Sequence, residues 1–161
     1  MTTSNRRQSE REPVTIRGAT GTDAPDVSRL LDALGYPAEV VAIRDRILSF
    51  DTSARDHVLL AELDGQVAGV LALSLTPRFA EPGMFSRITA LAIDPSVQRV
   101  GIGRRLVTEA ECLAAENGST LMQVNSGRRP ERAPAHAFYV SLGYADQYEH
   151  HVLYEKALAR P

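Results

Sequence analysis

A buried strand, a glycine loop and an amphipathic helix follow one another without interruption in the second half of the chain. Residues 88–93 are almost entirely apolar, which is typical of a central strand covered on both faces, and Asp94-Pro95-Ser96 ends it. The loop of residues 98–103 has the sequence Gln-Arg-Val-Gly-Ile-Gly. Apolar side chains then recur every three or four residues over positions 103–117, which predicts one helix with a buried face. The loop therefore joins a sheet strand to a helix.

The composition of this loop favours an anion such as a pyrophosphate. Gly101 and Gly103 have no Cβ, so the backbone can approach a ligand closely, and the unpaired amides and dipole of the helix start favour negative charge. The position three after Gly103 is Leu106, which excludes the dinucleotide fingerprint GxGxxG, and no Gly-Lys-Ser/Thr follows, which excludes a Walker loop. The alternative is a glycine turn that only tightens the junction between strand and helix.

Length and charge limit the classes of protein to consider. With 161 residues and 43% hydrophobic side chains, the chain suits one compact domain, predicted over residues 13–161 after a flexible polar tail of residues 1–12. The net charge is -2, which predicts no nucleic-acid or anionic-membrane partner. The chain has a single cysteine, no signal or membrane-spanning run and no cluster with metal-ligand spacing, so we expect a cytoplasmic protein without a metal site.

The remaining patterns predict the element order β-α-α-β-β-β-α-β-α-β. The Asp64-Gly65 pair between two strand-like runs is a strong hairpin signal. A first helix starts near Asp23, and a second helix carries five apolar residues that we expect to face inward: Val40, Val41, Ile43, Ile47 and Leu48. A loop is predicted over residues 77–87. The predicted strands are residues 14–17, 57–63, 67–76, 87–94, 120–125 and 148–156.

Two motifs in this order resemble those of the GNAT superfamily of N-acetyltransferases. The loop at residues 98–103 is similar to the family's acyl-CoA pyrophosphate loop, and residues 135–144 resemble its Ala-x-x-Phe-Tyr-x-x-x-Gly-Phe/Tyr element. The resemblance covers about residues 14–158. It implies an α+β, three-layer fold with a mixed, mostly antiparallel sheet of six to seven strands flanked by about four helices. The Ser126-Gly127-Arg128-Arg129 run and Leu34-Gly35-Tyr36-Pro37 are similar to the small-molecule branch that includes the aminoalkylphosphonate acetyltransferases.

The resemblance also implies a reaction and a set of residues. It implies direct transfer of an acetyl group from acetyl-CoA, as co-substrate, to the primary amine of a small molecule. Tyr139 matches the family tyrosine that protonates the departing thiolate, and a phenol of reference pKa about 10 can do so for a thiol near 8.5. Backbone or side-chain groups for the cofactor are expected from Leu91, Ala92, Ile93, Gln98, Arg99, Val100, Gly101, Ile102, Gly103, Arg104, Asn125, Arg132 and Tyr139.

The motifs do not identify the general base. Many relatives carry a glutamate on the fourth strand, but residues 87–94 contain none. Glu81, in the loop before that strand, is the preferred candidate; the others are Glu62, His136 and the pair His150-His151. Each of these has a solvated surface residue as its alternative explanation.

A basic cluster follows the fifth predicted strand. Arg132 stands where many relatives have an asparagine, and Arg128 and Arg129 lie close to it in the sequence. The cluster is expected to bind CoA phosphates or an anionic substrate, or else to form an exposed basic loop. Two further functions stay open, a protein or peptide N-acetyltransferase and a non-catalytic acyl-CoA-binding regulator, and the resemblance allows a homodimer.

Overall fold

The computed structural model describes residues 14–147 and 155–158 of the chain. The chain forms two compact units, one ending at Asn125 and one beginning at Ser126. The predicted tail at residues 1–12 and His150-His151 lie outside the described residues. Among the described residues no helix is long and apolar enough to cross a membrane.

The first unit is organised around one five-stranded sheet in which the strands follow their order in the sequence. The first three neighbouring pairs are antiparallel and the last pair is parallel. The strands are β1 (Thr15–Gly18), β2 (Asp56–Leu63), β3 (Gln66–Pro77), β4 (Met84–Ile93) and β5 (Ser119–Val124). The strand containing residues 88–93 is therefore the fourth of five, and the most continuously buried strand is β3.

The expectation of six to seven strands exceeds what the described part of the chain contains. The closing strand, predicted at residues 148–156, lies almost entirely outside the described residues, and residues 155–158 are not in a strand. The mixed, mostly antiparallel character of the sheet and its four helices agree with the prediction.

Local turn chemistry explains the hairpin between β2 and β3. Asp64 and Gly65 have φ of 53° and 74°, the left-handed pair that matches the twist of two antiparallel strands. Leu63 and Gln66 are accordingly register partners on either side of this two-residue turn. The predicted hairpin is confirmed.

The loop before β4 is shorter than predicted. It was expected over residues 77–87, but pairing of β3 with β4 already begins at Pro77↔Met84. Pro77, Pro82 and Gly83 indicated the loop, but residues 84–87 belong to the strand, where Ser86 is fully buried with its hydroxyl 2.5 Å from that of Ser119.

Two helices cover one face of the sheet. The helices α1 (Ala24–Ala33) and α2 (Val40–Asp51) pack through Val27, Leu30, Ile43 and Ile47 onto Leu60, Val70 and Ala92. The expectation that all five apolar residues of α2 face inward is wrong for three of them. Val40, Val41 and Leu48 are exposed, because a straight helix on a sheet buries only one narrow stripe.

The third helix covers the opposite face. In α3 (Ile102–Glu116), Ile102 and Leu106 lie directly over Gly69 of β3. Gly69 precedes Val70 in the strand, and successive strand residues face opposite sides of the sheet. The start of α3 is thus anchored above the first half of β3.

The described residues of the second unit contain a single α-helix. A 3₁₀ turn at Pro130–Arg132 leads into α4 (Ala133–Ser141), and Gly143, with φ of 93°, ends it in the left-handed conformation. The helix predicted around Ala135 and Tyr139 is confirmed.

Candidate functional site

The parallel strands β4 and β5 separate part of the way along their length. Their pairing runs from Met84↔Ser119 to Ile88↔Val124, whereas β4 continues to Ile93. Among the described residues nothing continues β5 beside this last part of β4. Within the described part of the chain, the backbone of the carboxyl half of β4 is therefore unpaired on one side.

A bulge in β4 lies where the two strands part. Ala90 pairs with Ala72 and Ile88 pairs with Leu73, so Thr89 is an extra residue in the β3–β4 ladder. A bulge bends its strand and increases the local twist. The bulged residue directly follows Ile88, and Ile88 belongs to the last β4–β5 pair. The bulge therefore accounts for the opening between the two strands.

The unpaired backbone groups belong to residues that the motif analysis selected. Asp94 N donates to Ala68 O of β3 at 2.9 Å. Because backbone groups alternate along a strand, Ala92 also faces β3, while the N–H and C=O groups of Leu91 and Ile93 face the opening. Two of the three predicted β4 residues thus present hydrogen-bonding groups there.

The loop after β4 brings several backbone amides together at the start of α3. Arg99 and Gly101 have φ of 67° and 88°, both in the left-handed region. The first helical bond is donated by Arg105 N to Gly101 O at 3.1 Å, so the preceding amides have no partner within the helix. No side chain among residues 14–147 and 155–158 caps this end. Such amides at a helix start, beside arginines 99, 104 and 105, fit a pyrophosphate.

A network of hydrogen bonds holds the entry to this loop. Asp94 Oδ1 accepts from the Ser96 hydroxyl at 2.6 Å and from the Ser96 N–H at 2.9 Å, and Arg29 of α1 donates to the other oxygen. These bonds, those of Ser96 foremost, lower the pKa of Asp94 to about 2, so it is ionised at neutral pH. Arg29 also donates to Val67 O at 2.9 Å, which ties the loop entry to α1 and β3.

Asn125 lies on the other side of the opening. It directly follows Val124, the last β5 residue paired with β4, and it is exposed. The predicted cofactor residues that lie in the first unit, from β4, the glycine loop and Asn125, therefore border one opening.

In the second unit, Tyr139 of α4 lies among aromatic rings. Its ring centroid is 5.2 Å from that of Phe138 and 5.5 Å from that of Tyr144, both edge to face. Burial raises the pKa of Tyr139 to about 12, although the charge of Arg132 acts to lower it. The phenol is therefore neutral at every physiological pH, and it is a weaker acid than a free tyrosine.

The predicted base Glu81 lies away from the opening. It sits in the β3–β4 loop, ahead of the first residue of β4, whereas the opening is at the other end of that strand. Its side chain is 67% exposed and accepts a hydrogen bond from Arg78 at 2.7 Å. The structure does not bring Glu81 together with Leu91, and its role stays a prediction.

The other base candidates have structural partners where they are described. Glu62 accepts from Arg17 Nε at 2.8 Å, and His136 Nε2 lies 2.9 Å from Gly127 O. His150 and His151 lie outside the described residues. In the described part of the chain no group of three His, Cys, Asp or Glu side chains could hold a metal ion.

Two features at the narrow end of the opening were not predicted from the sequence motifs. One is the Thr89 bulge; the other is Arg87, whose Nη2 donates to Gln123 Oε1 of β5 at 3.0 Å. The only sequence signal for Arg87 is a charged residue next to an apolar strand-like run. Its partner Gln123 follows from strand register, which local patterns do not encode.

Comparison with known proteins identifies similar sequences and folds. The model of the acetyltransferase (GNAT) family matches residues 28–144. The chain is 28% identical over 155 residues to an aminoalkylphosphonate N-acetyltransferase of Salmonella typhimurium, covering 95% of this chain and 97% of that protein. It is 29% identical over 135 residues to an uncharacterized N-acetyltransferase of Chlorobaculum tepidum, covering 81% and 75%. A solved aminoglycoside N-acetyltransferase in complex with CoA superposes with a TM-score of 0.77 at 16% identity, covering 91% of this chain and 96% of that one.

Proposed function

Because the chain belongs to the acetyltransferase (GNAT) family, we propose that it transfers an acetyl group from acetyl-CoA to the primary amine of a small molecule. The family makes it an N-acetyltransferase; the identity of the donor and the size of the acceptor are the proposal. The observation that carries it is the opening between β4 and β5, with a glycine loop at its wide end.

The backbone at this opening suits an extended thioester donor. An amide-containing arm that runs beside β4 would hydrogen-bond to Leu91 and Ile93 as an added strand does. The amides that start α3, together with Arg99 and Arg104, would bind the pyrophosphate. A thioester carbonyl held near Leu91 would receive a backbone N–H, which stabilises the negative charge that develops on its oxygen.

The chemistry needs little more than positioning and proton transfer. The amine nitrogen attacks the thioester carbon, a C–N bond forms, the C–S bond breaks, and the sulfur leaves as a thiolate. The amine loses one proton and the thiolate gains one. No base is assigned here; Glu81 stays a prediction, and proton loss to water fits the absence of a glutamate on β4.

We propose that Tyr139 supplies the proton to the thiolate. Its raised pKa keeps the hydroxyl protonated, and among the described residues no hydrogen bond occupies that hydroxyl. The pKa of Tyr139, about 12, lies roughly 3.5 above the reference thiol pKa of about 8.5, so full proton transfer to a free thiolate is unfavourable. Hydrogen bonding to the developing thiolate therefore precedes proton transfer.

Acetyl-CoA-dependent thiol release tests the proposal. The purified chain is assayed with pools of aminoalkylphosphonates, amino acids, polyamines, aminoglycosides and short peptides. The aminoalkylphosphonates and the aminoglycosides are tested first, because these classes name the Salmonella typhimurium relative and the CoA-bound fold neighbour. Turnover of a small amine supports the proposal, whereas turnover of peptides alone assigns the protein N-acetyltransferase alternative. Acetyl-CoA binding without turnover in any pool counts against the proposal and favours the non-catalytic regulator or an acceptor outside the panel.

A pair of tyrosine variants then tests whether Tyr139 is the general acid. Tyr139→Phe should lower kcat by a factor of about 100 and leave acetyl-CoA affinity unchanged, since a general acid contributes roughly that much. Tyr36→Phe is the control, because Tyr36 is 61% exposed in the α1–α2 loop. Equal activity of both variants would remove Tyr139 from the mechanism.

A cytoplasmic location and a homodimer remain proposals from the sequence.

A further inference from the structure

A row of polar side chains crosses four strands of the sheet. Asp56 of β2 pairs with Ser74 of β3, Ser74 pairs with Arg87 of β4, and Arg87 pairs with Gln123 of β5. Residues that are directly opposite on neighbouring strands point to the same face. The four side chains therefore form one continuous row on the sheet face that α1 and α2 partly cover.

The acidic end of the row is already satisfied. Asp56 accepts from the Ser74 hydroxyl at 2.6 Å and from the Ser53 hydroxyl at 2.7 Å. These bonds, that of Ser74 foremost, lower the pKa of Asp56. Its hydrogen-bond donors are these hydroxyls and not Arg87.

Arg87 has only neutral partners among the described residues. Its Nη2 donates to Gln123 Oε1 at 3.0 Å, and its guanidinium lies 5.7 Å from the centroid of the Phe85 ring. Its Nε is buried and has no hydrogen-bond partner in the described part of the chain, and no carboxylate of that part forms an ion pair with it. Burying part of a guanidinium without an anionic partner costs free energy, and a bound anion would offset that cost.

Arg87 stands at the narrow end of the opening, beside a shallow floor. Its strand pair is immediately followed by Ile88↔Val124, the last pair before β4 and β5 separate. On the same face, Ala72 and Ala90 are register partners that the helices leave half-buried. Methyl side chains project little from a sheet, so the half-buried surface beside Arg87 is low.

We propose that Arg87 binds an anionic group of the acceptor, so that the acceptor is a small primary amine carrying a phosphonate, phosphate or carboxylate. The inference rests on the proposed function and adds its substrate class. The guanidinium presents five N–H donors in a planar fork that matches these oxyanions, and Gln123 holds the fork in place. The same charge disfavours a polycationic acceptor at this position.

Steady-state kinetics with matched amines and variants test this inference. The amines are 2-aminoethylphosphonate, 2-aminoethyl phosphate, β-alanine and the uncharged propylamine. Arg87→Met should raise KM for the preferred anionic amine roughly tenfold to a hundredfold, since charge-assisted hydrogen bonds are lost, and leave KM for acetyl-CoA and for propylamine unchanged. Arg87→Lys should recover only part of the loss, because a lysine does not reproduce the fork. Arg46→Met on the exposed side of α2 is the matched control and should change nothing.

The outcomes separate this inference from the proposed function. If no amine is acetylated by the wild-type chain, the proposed function fails. If cationic or neutral amines are acetylated and anionic amines are not, only the role of Arg87 is overturned. The same holds if Arg87→Met leaves the KM for the anionic amines unchanged. If Arg87→Met does not fold, Gln123→Leu replaces it: a severalfold rise in KM for the anionic amine alone supports the inference, and an unchanged KM overturns it. The three anions show which oxyanion is preferred.

Discussion

Replacing Gly69 by alanine should loosen the contact between β3 and the start of α3. An added Cβ would lie 2.8 Å from Ile93 Cδ1, 3.0 Å from Leu106 Cδ1 and 3.1 Å from Ile102 Cγ2. Carbon atoms at their optimal separation are about 3.5–4.0 Å apart, so three side chains must yield at once. Leu106 and Ile102 are almost fully buried and have little space to move into.

The expected destabilisation follows from two opposing contributions. Overpacking a well-filled site costs about 1–3 kcal/mol. Restricting the unfolded chain by replacing glycine with alanine returns about 0.4–1 kcal/mol. The net loss in the free energy of unfolding should be about 1–2 kcal/mol, or roughly 2–8 °C in Tm for a chain of this size.

Urea unfolding followed by circular dichroism, together with acetyl-CoA titration, measures both consequences. Because Ile102 begins α3, its displacement shifts the amides of the glycine loop, and acetyl-CoA affinity should fall severalfold. Gly18→Ala is the control, since its Cβ would meet nothing within 4 Å, and it should change the free energy of unfolding by less than about 0.5 kcal/mol. Equal stability of the two variants would refute the packing argument.

Three further predictions concern the loop, the acid stability and the pH profile. Gly101→Ala forces an L side chain to a φ of 88°, which should cost about 1–2 kcal/mol in unfolding experiments and weaken acetyl-CoA binding. Asp23 accepts from Arg17 and Thr20, bonds that lower its pKa to about 2; its stabilisation is complete above the ordinary pKa and is lost as pH falls toward 2. Asp23→Asn should therefore destabilise the protein by about 1–3 kcal/mol at pH 7, and unfolding curves of variant and wild type should converge near pH 2. Since the pKa of Tyr139 is about 12, kcat should show no alkaline decline from this group below about pH 11, and a limb near pH 10 that Tyr139→Phe abolishes would contradict the buried phenol.

Much of the local architecture can be predicted from the residues alone. The Asp64-Gly65 turn, the helix after Gly101 and the helix around Tyr139 depend on contacts between near neighbours in the chain, which periodicity and turn chemistry encode. The limits of prediction are visible at residues 84–87 and at Leu48. Residues next to prolines and a glycine look like a loop until their pairing with another strand is known, and an apolar helix residue looks buried until the width of the contact surface is known.

The sequence by itself determined the strand, the glycine loop, the helix and the motif that together identify the family. Only the tertiary structure decided where β4 leaves β5, that Thr89 is the extra residue at that point, and that Arg87 meets Gln123 but no carboxylate of the described chain. The physical reason is register. Pairing between strands distant in sequence sets which backbone groups stay unpaired and which side chains share a face, and that choice depends on the whole sheet and not on any one segment.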